Sequence, residues 1–406
     1  MVNVVFNNIL QNLEDKIIKG IVLFLPISFC LGNAALNINV VLIDVLFLLK
    51  FNKNLSSIFK LKSFKVLLFI WCAIVLKDII LYSENFYKSI GLVRYLVFVF
   101  ALKSFFEIYK ELNKYFFWNS IILITFLILD INIQFFTGTN ILGLETGSSY
   151  RVSSIFGSEW IAGSFLLKFS FLFLPFFYYY KRKKSNLIAF FYVFFVLEAT
   201  VLSGDRTPLF QLVFILLLFP LILENSLKKT FKNYLIIFIS LSAIFLFTKN
   251  VYNKPSLDRY SKNIFAKYIN LDEGTQTRLM HYGLIMSKDN IIFGIGTDNF
   301  YKKCLEYEKK NSYFKRCENH PHHHLVELIT EQGLPIFLVI LFSFLIFFYK
   351  KITDFKNLSI LSRFRLISLL IYFLPFFFSG SFFSTWTASF FFFNLGILFS
   401  DKNYTS

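Results

Sequence analysis

The stretch Glu318-Asn-His-Pro-His-His-His-Leu-Val-Glu327 holds four of the chain's five histidines, at positions 320, 322, 323 and 324. Three chemistries compete for such a cluster: zinc ligation, proton transfer and a polar cap on a helix. Zinc needs three or four ligands with convergent directions. His320 and His324 are spaced to share a helix face with Glu327 one turn on, but Pro321 opposes a regular helix before residue 322. No HExxH or CxxC accompanies them, so no metal is expected. A general base needs only one neutral imidazole within reach of a hydroxyl, and an ordinary histidine pKa of about 6.5 suits that task. Capping stays open for the others.

Cations supply the second set of candidates. Arg206 lies in the turn Ser203-Gly-Asp-Arg-Thr207 between two apolar runs, where an ionisable group is costly and points to function. The bland alternative is an arginine that snorkels to the interface or pairs with Asp205. Arg278 lies on a segment whose polar face also carries Gln276 and His281. Lys77, Asp78, Arg94 and Arg151 fall near the same side of the membrane, and Lys168 falls inside an apolar run. A rim rich in cations suits an anionic ligand such as pyrophosphate or a phospholipid headgroup.

The elements that must position these residues are membrane helices. Hydrophobic residues make up 56% of the 406 and aromatics 20%, with 58 Phe, and mean hydropathy is +0.59; a soluble domain does not look like this. The net charge of +17 is dispersed between apolar runs instead of forming one face or arm, which argues against nucleic acid. About twelve runs are long enough to span, near 17–35, 36–51, 64–82, 89–106, 116–137, 159–180, 186–202, 207–224, 234–250, 334–349, 363–380 and 385–400. The expected fold is therefore an all-α polytopic membrane protein. No cleavable signal is expected, because the first run is long enough to span and lacks an A-x-A site.

Placing the N-terminus inside puts eighteen Lys and Arg in the inner loops, including Lys181-Arg-Lys-Lys184, against Lys88, Arg151 and Arg206 in the short outer connections. That bias sets the orientation, with both termini cytoplasmic. Residues 251–333 contain no spanning run and carry 12 Lys/Arg against 10 Asp/Glu. They form one large outer loop between a first block of spans, 1–250, and a last block, 334–406. Cys304 and Cys317 lie in this loop, and either a disulfide or two free thiols is compatible with their spacing. Within the loop, Thr275 to Lys288 and His322 to Glu331 read as helices.

These residues together resemble the large-loop signature of the O-antigen ligase and polymerase superfamily. In that family an Arg-bearing helix, here with Arg278, leads into a Gly-x-Gly turn, here Asn290-Ile-Ile-Phe-Gly-Ile-Gly-Thr-Asp-Asn-Phe300. A His-Asn pair follows, with a glycine eleven residues after the histidine. Counting back from Gly333 makes His322 the family's histidine and puts His323 where Asn is usual. Ser203-Gly-Asp-Arg-Thr207 is similar to the family's Ser-x-Ser-Arg turn, and Arg151-Val-Ser-Ser-Ile-Phe-Gly157 resembles its earlier outer-loop motif. The resemblance covers about residues 150–340.

It implies a metal-independent, cofactor-free, GT-C-like integral membrane glycosyltransferase of the bacterial inner membrane, working at the periplasmic face. The donor would be a glycan on undecaprenyl pyrophosphate, and the acceptor a lipid A-core sugar or, in a polymerase, a second lipid-linked repeat. His322 would be the base, Arg206 and Arg278 would stabilise the diphosphate, and Arg151, Arg94, Lys77, His323 and His281 would line the substrate site. Direct attack would invert the anomeric carbon. Ligase is the preferred reading, polymerase the alternative. A lipid-linked sugar transporter is a second alternative, disfavoured by the lack of internal repeats and by cations gathered on one face.

Overall fold

The computed structural model describes residues 2–51, 55–146, 151–179, 185–223, 275–311, 313–374 and 378–401, together with residue 242. Its elements are helical, apart from one isolated bridge between Thr139 and Glu145. In chain order they are α1 (Val2–Leu23), α2 (Leu25–Cys30), α3 (Asn33–Phe51), α4 (Leu55–Phe59), α5 (Lys62–Ile80), α6 (Phe86–Gly91), α7 (Val93–Ile108), α8 (Leu112–Thr137), α9 (Ala162–Tyr179), α10 (Ser185–Leu202) and α11 (Arg206–Leu223). Beyond them come α12 (Thr275–Asp289), α13 (Phe300–Lys310), α14 (His324–Thr353), α15 (Ile360–Leu370) and α16 (Thr385–Ser400).

Four described helical stretches are long and apolar enough to cross a membrane: Asn33–Phe51, Phe86–Ile108, Leu112–Thr137 and His324–Thr353. Phe191–Leu202, Arg206–Leu218 and Thr385–Ser400 are shorter apolar helices. Along α3 the residues Ile38, Val41, Leu42, Val45, Leu48 and Leu49 are exposed, and so are Phe342, Leu345, Ile346 and Tyr349 along α14. Such continuous apolar surface is stable only against lipid. The chain is a multi-pass helical membrane protein.

Several spans differ from the sequence expectation. The first two divide at Gly32, whose φ of +98° ends helical geometry, and not at residues 35 and 36. In the run expected over 363–380 the described residues are helical to Leu370, with a 3-10 turn over Ile371–Phe373, and residues 375–377 lie outside the described residues. Pro375 follows, and a proline disfavours helix at the residue before it. The span expected at 234–250 lies outside the described residues apart from residue 242.

The chain divides into two compact units. One comprises Met1–Tyr115, Leu271–Lys356 and Tyr372–Ser406. In it α7 packs on α3 and α16, so tightly at Gly396 that an added Cβ would stand 2.9 Å from the Val99 carbonyl oxygen. The other unit comprises Phe116–Asn270 and Asn357–Ile371, with α9 packed on α10, α11 and α15.

The described part of the large loop belongs to the first unit and has a core of its own. Leu279, Tyr282 and Met286 of α12 meet Ile295, Phe300, Cys304 and Phe314. The Tyr282 hydroxyl donates to the Tyr313 carbonyl at 2.7 Å and accepts from Lys315 N at 2.9 Å. Cys304 and Cys317 form a disulfide, which settles the pairing that spacing left open.

Candidate active site

In the first unit the site is built around a break in α14. Gly333 has φ +77° and ψ 164°, outside helical geometry, and Pro335 follows. An unwound turn leaves backbone groups without helical partners, which is costly at membrane depth. The Gly-x-Gly turn supplies them. Ile295 N donates to the Thr330 carbonyl at 2.9 Å, Gly296 N to Glu331 at 3.1 Å, and Leu334 N to the Ile291 carbonyl at 2.7 Å.

Lys77 completes this dock. Its ammonium donates to the Glu331 carbonyl at 2.8 Å and to Gln332 Oε1 at 3.0 Å, and lies 2.7 Å from Asp78 Oδ1. Lysine and aspartate side chains are only 4% and 0% exposed, respectively. Gln332 in turn donates to Thr297 Oγ1 at 3.1 Å, and the Asp298 amide donates to Glu331 Oε2 at 2.7 Å. Lys77 is thus engaged at two points by the break in α14 and at a third by Asp78 of its own helix. Sequence reading grouped it with the rim cations and missed this pairing. The available signal was a lysine and aspartate side by side in an apolar run, since buried charges need partners.

Helix α12 crosses the start of α14 at Gly283. A Cβ there would lie 2.6 Å from Val326 and 3.1 Å from Pro321, and Thr330 Oγ1 donates to the Gly283 carbonyl at 2.9 Å. The Arg278 helix therefore touches the residue just before His322. Nε and Nη2 of Arg278 are buried and have no hydrogen-bond partner among the described residues. Buried guanidinium nitrogens are normally paired, so this side chain is suited to an anion. His281, one turn on, bonds the Tyr313 hydroxyl through Nδ1 at 2.7 Å.

The histidines separate into different environments. His322 adopts φ +54°, its carbonyl accepts from Ser379 N at 2.8 Å, and its Nε2 lies 2.9 Å from Glu318 Oε2. Its side chain is 18% exposed, enough to meet a substrate. His323 is the N-cap of α14, and its Nδ1 accepts from Val326 N at 3.3 Å. That is the task an asparagine performs at an N-cap, which explains how histidine stands in the family's Asn position. His324 is buried, stacked on Tyr372, with Nδ1 3.1 Å from the Tyr372 carbonyl oxygen. The His320 ring lies 4.2 Å from that of His322. Burial, and after it the neighbouring His322, pushes the His320 imidazole down to about 3.

Two buried carboxylates stand beside the site: Glu327, noted from sequence only as a neighbour on the histidine face, and Glu331, not singled out there. Glu327 accepts from Ser381 Oγ and, at 2.6 Å, from Phe382 N, while Glu331 holds the Asp298 amide. Their signal was an i, i+4 carboxylate pair in an apolar segment. Arg94, also in this unit, donates to the Tyr95 hydroxyl at 3.1 Å and lies over that ring.

Arg151 and Arg206 belong to the second unit. There the two upstream motifs meet: Val152 N donates to the Ser203 carbonyl at 3.2 Å, and Arg151 Nε lies 3.9 Å from Asp205 Oδ1 with its guanidinium over the Trp160 ring. Asp205 also accepts from Gly163 N at 3.1 Å. Gly163 has no room for a side chain, since a Cβ would stand 2.8 Å from Ser203 Oγ. Arg206 opens α11, so a cation and the positive end of a helix coincide. Among the described residues no group of three or more His, Cys, Asp or Glu is arranged to hold a metal ion.

Residues 163–341 match the family described as O-antigen ligase. The match supports the O-antigen ligase and polymerase superfamily for this chain. It takes in Arg206, Arg278 and His322 and leaves out Arg94, Arg151 and Lys77. No curated protein matches the chain. Members of this family are glycosyltransferase-like enzymes whose partners are lipid-linked glycans and lipids in general.

Proposed function

We propose that the chain is an O-antigen ligase of the bacterial inner membrane. It transfers a glycan from undecaprenyl pyrophosphate to a lipid A-core sugar at the periplasmic face, without a metal. The observation that carries this reading is the placement, within one unit, of a partly exposed His322 just before α14 and of an Arg278 on α12 whose buried Nε and Nη2 have no hydrogen-bond partner among the described residues, with α12 touching Pro321 and Val326 at Gly283.

In this mechanism the acceptor hydroxyl attacks the anomeric carbon of the donor. The new C–O bond forms as the bond to the diphosphate oxygen breaks. His322 takes the hydroxyl proton. Negative charge builds on the leaving diphosphate, and Arg278 stabilises it there more than in the ground state, while Arg206 in the second unit is a separate candidate cation for the donor. Arg151 and Arg94 line the donor path, His281 orients its neighbours through Tyr313, and His323 fixes the turn by capping α14. Lys77 acts through the break in α14 and not on the diphosphate. A single displacement from the opposite face inverts the configuration.

The test is the lipopolysaccharide banding of a deletion strain. A ligase leaves no O-chain band while lipid-linked polymer accumulates. A core bearing a single repeat would instead identify a polymerase.

A further inference from the structure

Among the described residues Nε2 of His322 has one hydrogen-bond partner, the carboxylate of Glu318 at 2.9 Å. An ionised carboxylate can only accept, so in a neutral ring Nε2 carries the proton and Nδ1 keeps its lone pair. Both ends of this contact are held by other parts of the chain. At the histidine end the backbone is pinned at φ +54° by the bond from Ser379 N to the His322 carbonyl. At the glutamate end the adjacent residue, Cys317, is tied by the disulfide to Cys304, which is fully buried in the loop core beside Phe300.

Glu318 is half exposed, and an exposed ion pair contributes little to stability. A contact built from two fixed ends with so little to gain in stability is better explained by what it does to the ring. We propose that Glu318 is a positioning residue that locks His322 in the Nε2–H form and aims Nδ1 at the acceptor hydroxyl. The Cys304–Cys317 disulfide is what places Glu318. The inference rests on the base role of His322.

The positioning itself makes and breaks no covalent bond. During transfer Nδ1 gains the acceptor's proton while Nε2 keeps its own, and the resulting imidazolium faces the Glu318 carboxylate, which stabilises it. The nearest other titratable ring is His320, which burial keeps neutral and which therefore adds no competing charge.

The experiment uses the full-length chain labelled with 15N at histidine only, held in lipid nanodiscs; five histidines keep the spectrum simple. In the wild type the His322 ring, identified by its loss in His322→Asn, is expected to show a protonated Nε2 and a bare Nδ1. Glu318→Ala should give a mixture of tautomers, and Glu318→Asp should restore the single form. In a complemented deletion strain glycan transfer should fall about tenfold or more in Glu318→Ala, the scale on which a misplaced base costs rate, and recover in part in Glu318→Asp. Reductant on the wild type and the variant Cys317→Ser should each release the tautomer and add little loss on top of Glu318→Ala. Thermal melting checks that both remain folded.

A His322 ring with the same tautomer in wild type and Glu318→Ala would overturn the proposal. If His322→Ala is inactive while Glu318→Ala transfers normally, the positioning role fails and the base reading stands. If His322→Ala transfers normally, the base reading itself fails.

Discussion

Gly294 and Gly333 cross backbone against backbone. A Cβ on Gly333 would stand 2.3 Å from the Ile292 carbonyl oxygen, and one on Gly294 would stand 2.5 Å from that of Glu331. Both also have positive φ, at +66° and +77°. These two residues let the Gly-x-Gly turn reach the amides and carbonyls exposed by the break in α14.

Gly333→Ala should therefore cost at least about 1–2 kcal/mol from the left-handed conformation alone, before any clash is counted. Thermal melting in detergent should register the loss, and glycan transfer should fall with it. Gly20, with nothing within 4 Å of its added Cβ and no positive φ, is the control, and Gly20→Ala should be neutral or nearly so.

His322→Ala should abolish transfer while leaving protein level and melting temperature close to wild type. General-base loss costs about 100- to 10,000-fold, so residual transfer should fall below detection on a gel. Full activity would remove His322 from the chemistry.

Arg278→Ala and Arg206→Ala should each weaken donor binding and slow transfer, while Arg278→Lys should recover little of it. A lysine keeps the charge but not the planar fork that suits a phosphate. Unchanged donor affinity in both alanine variants would remove the diphosphate role. Chelator should leave transfer unaltered, and loss restored by zinc would revive a metal role for the histidines.

His323→Asn should be close to wild type in stability and transfer, whereas His323→Ala should cost about 1 kcal/mol through the lost cap on α14. Melting of the two variants side by side separates capping from any direct role in catalysis.

His320 makes a prediction about pH. Its folded pKa of about 3 lies below an unfolded value of about 6.5, so the unfolded chain takes up this proton first as pH falls. This residue's contribution to stability is then fully present above about pH 6.5 and is lost progressively towards about pH 3. Melting followed from pH 7 to pH 4 should fall more steeply for the wild type than for His320→Phe. Equal slopes would show that His320 is not held neutral.

The parts of this site legible in the sequence are those whose spacing is local. The eleven-residue interval from His322 to Gly333, the glycine turn and the arginine on α12 all carry their signal within one segment. The helical membrane class was equally legible, because apolar runs of spanning length need no tertiary information. What the sequence did not disclose depends on distant partners. Lys77 and Glu331 are 254 residues apart, and their bond exists because α14 unwinds where α5 passes. Two local contacts were also not disclosed: the His323 cap, because histidine is an uncommon N-cap, and Glu318, four residues from a His322 that lies outside a helix with φ +54°. Apolar composition over 363–380 does not register the change from α-helix to a 3-10 turn at Ile371–Phe373.

The break at Gly333 also acts as a ruler. From His324 to Gln332 the chain climbs nine residues of helix, a rise of about 13 Å at 1.5 Å per residue. Because Lys77 and the glycine turn fix the lower end of that stem and His323 caps its upper end, the interval between membrane span and imidazole cannot stretch or slide. On the proposed function, the reacting carbon of the donor has to come to that fixed elevation. Inserting or deleting one helical turn between residues 326 and 331 would shift His322 relative to Gly333 by about 5 Å and leave the glycine turn and the Arg278 helix unchanged in sequence.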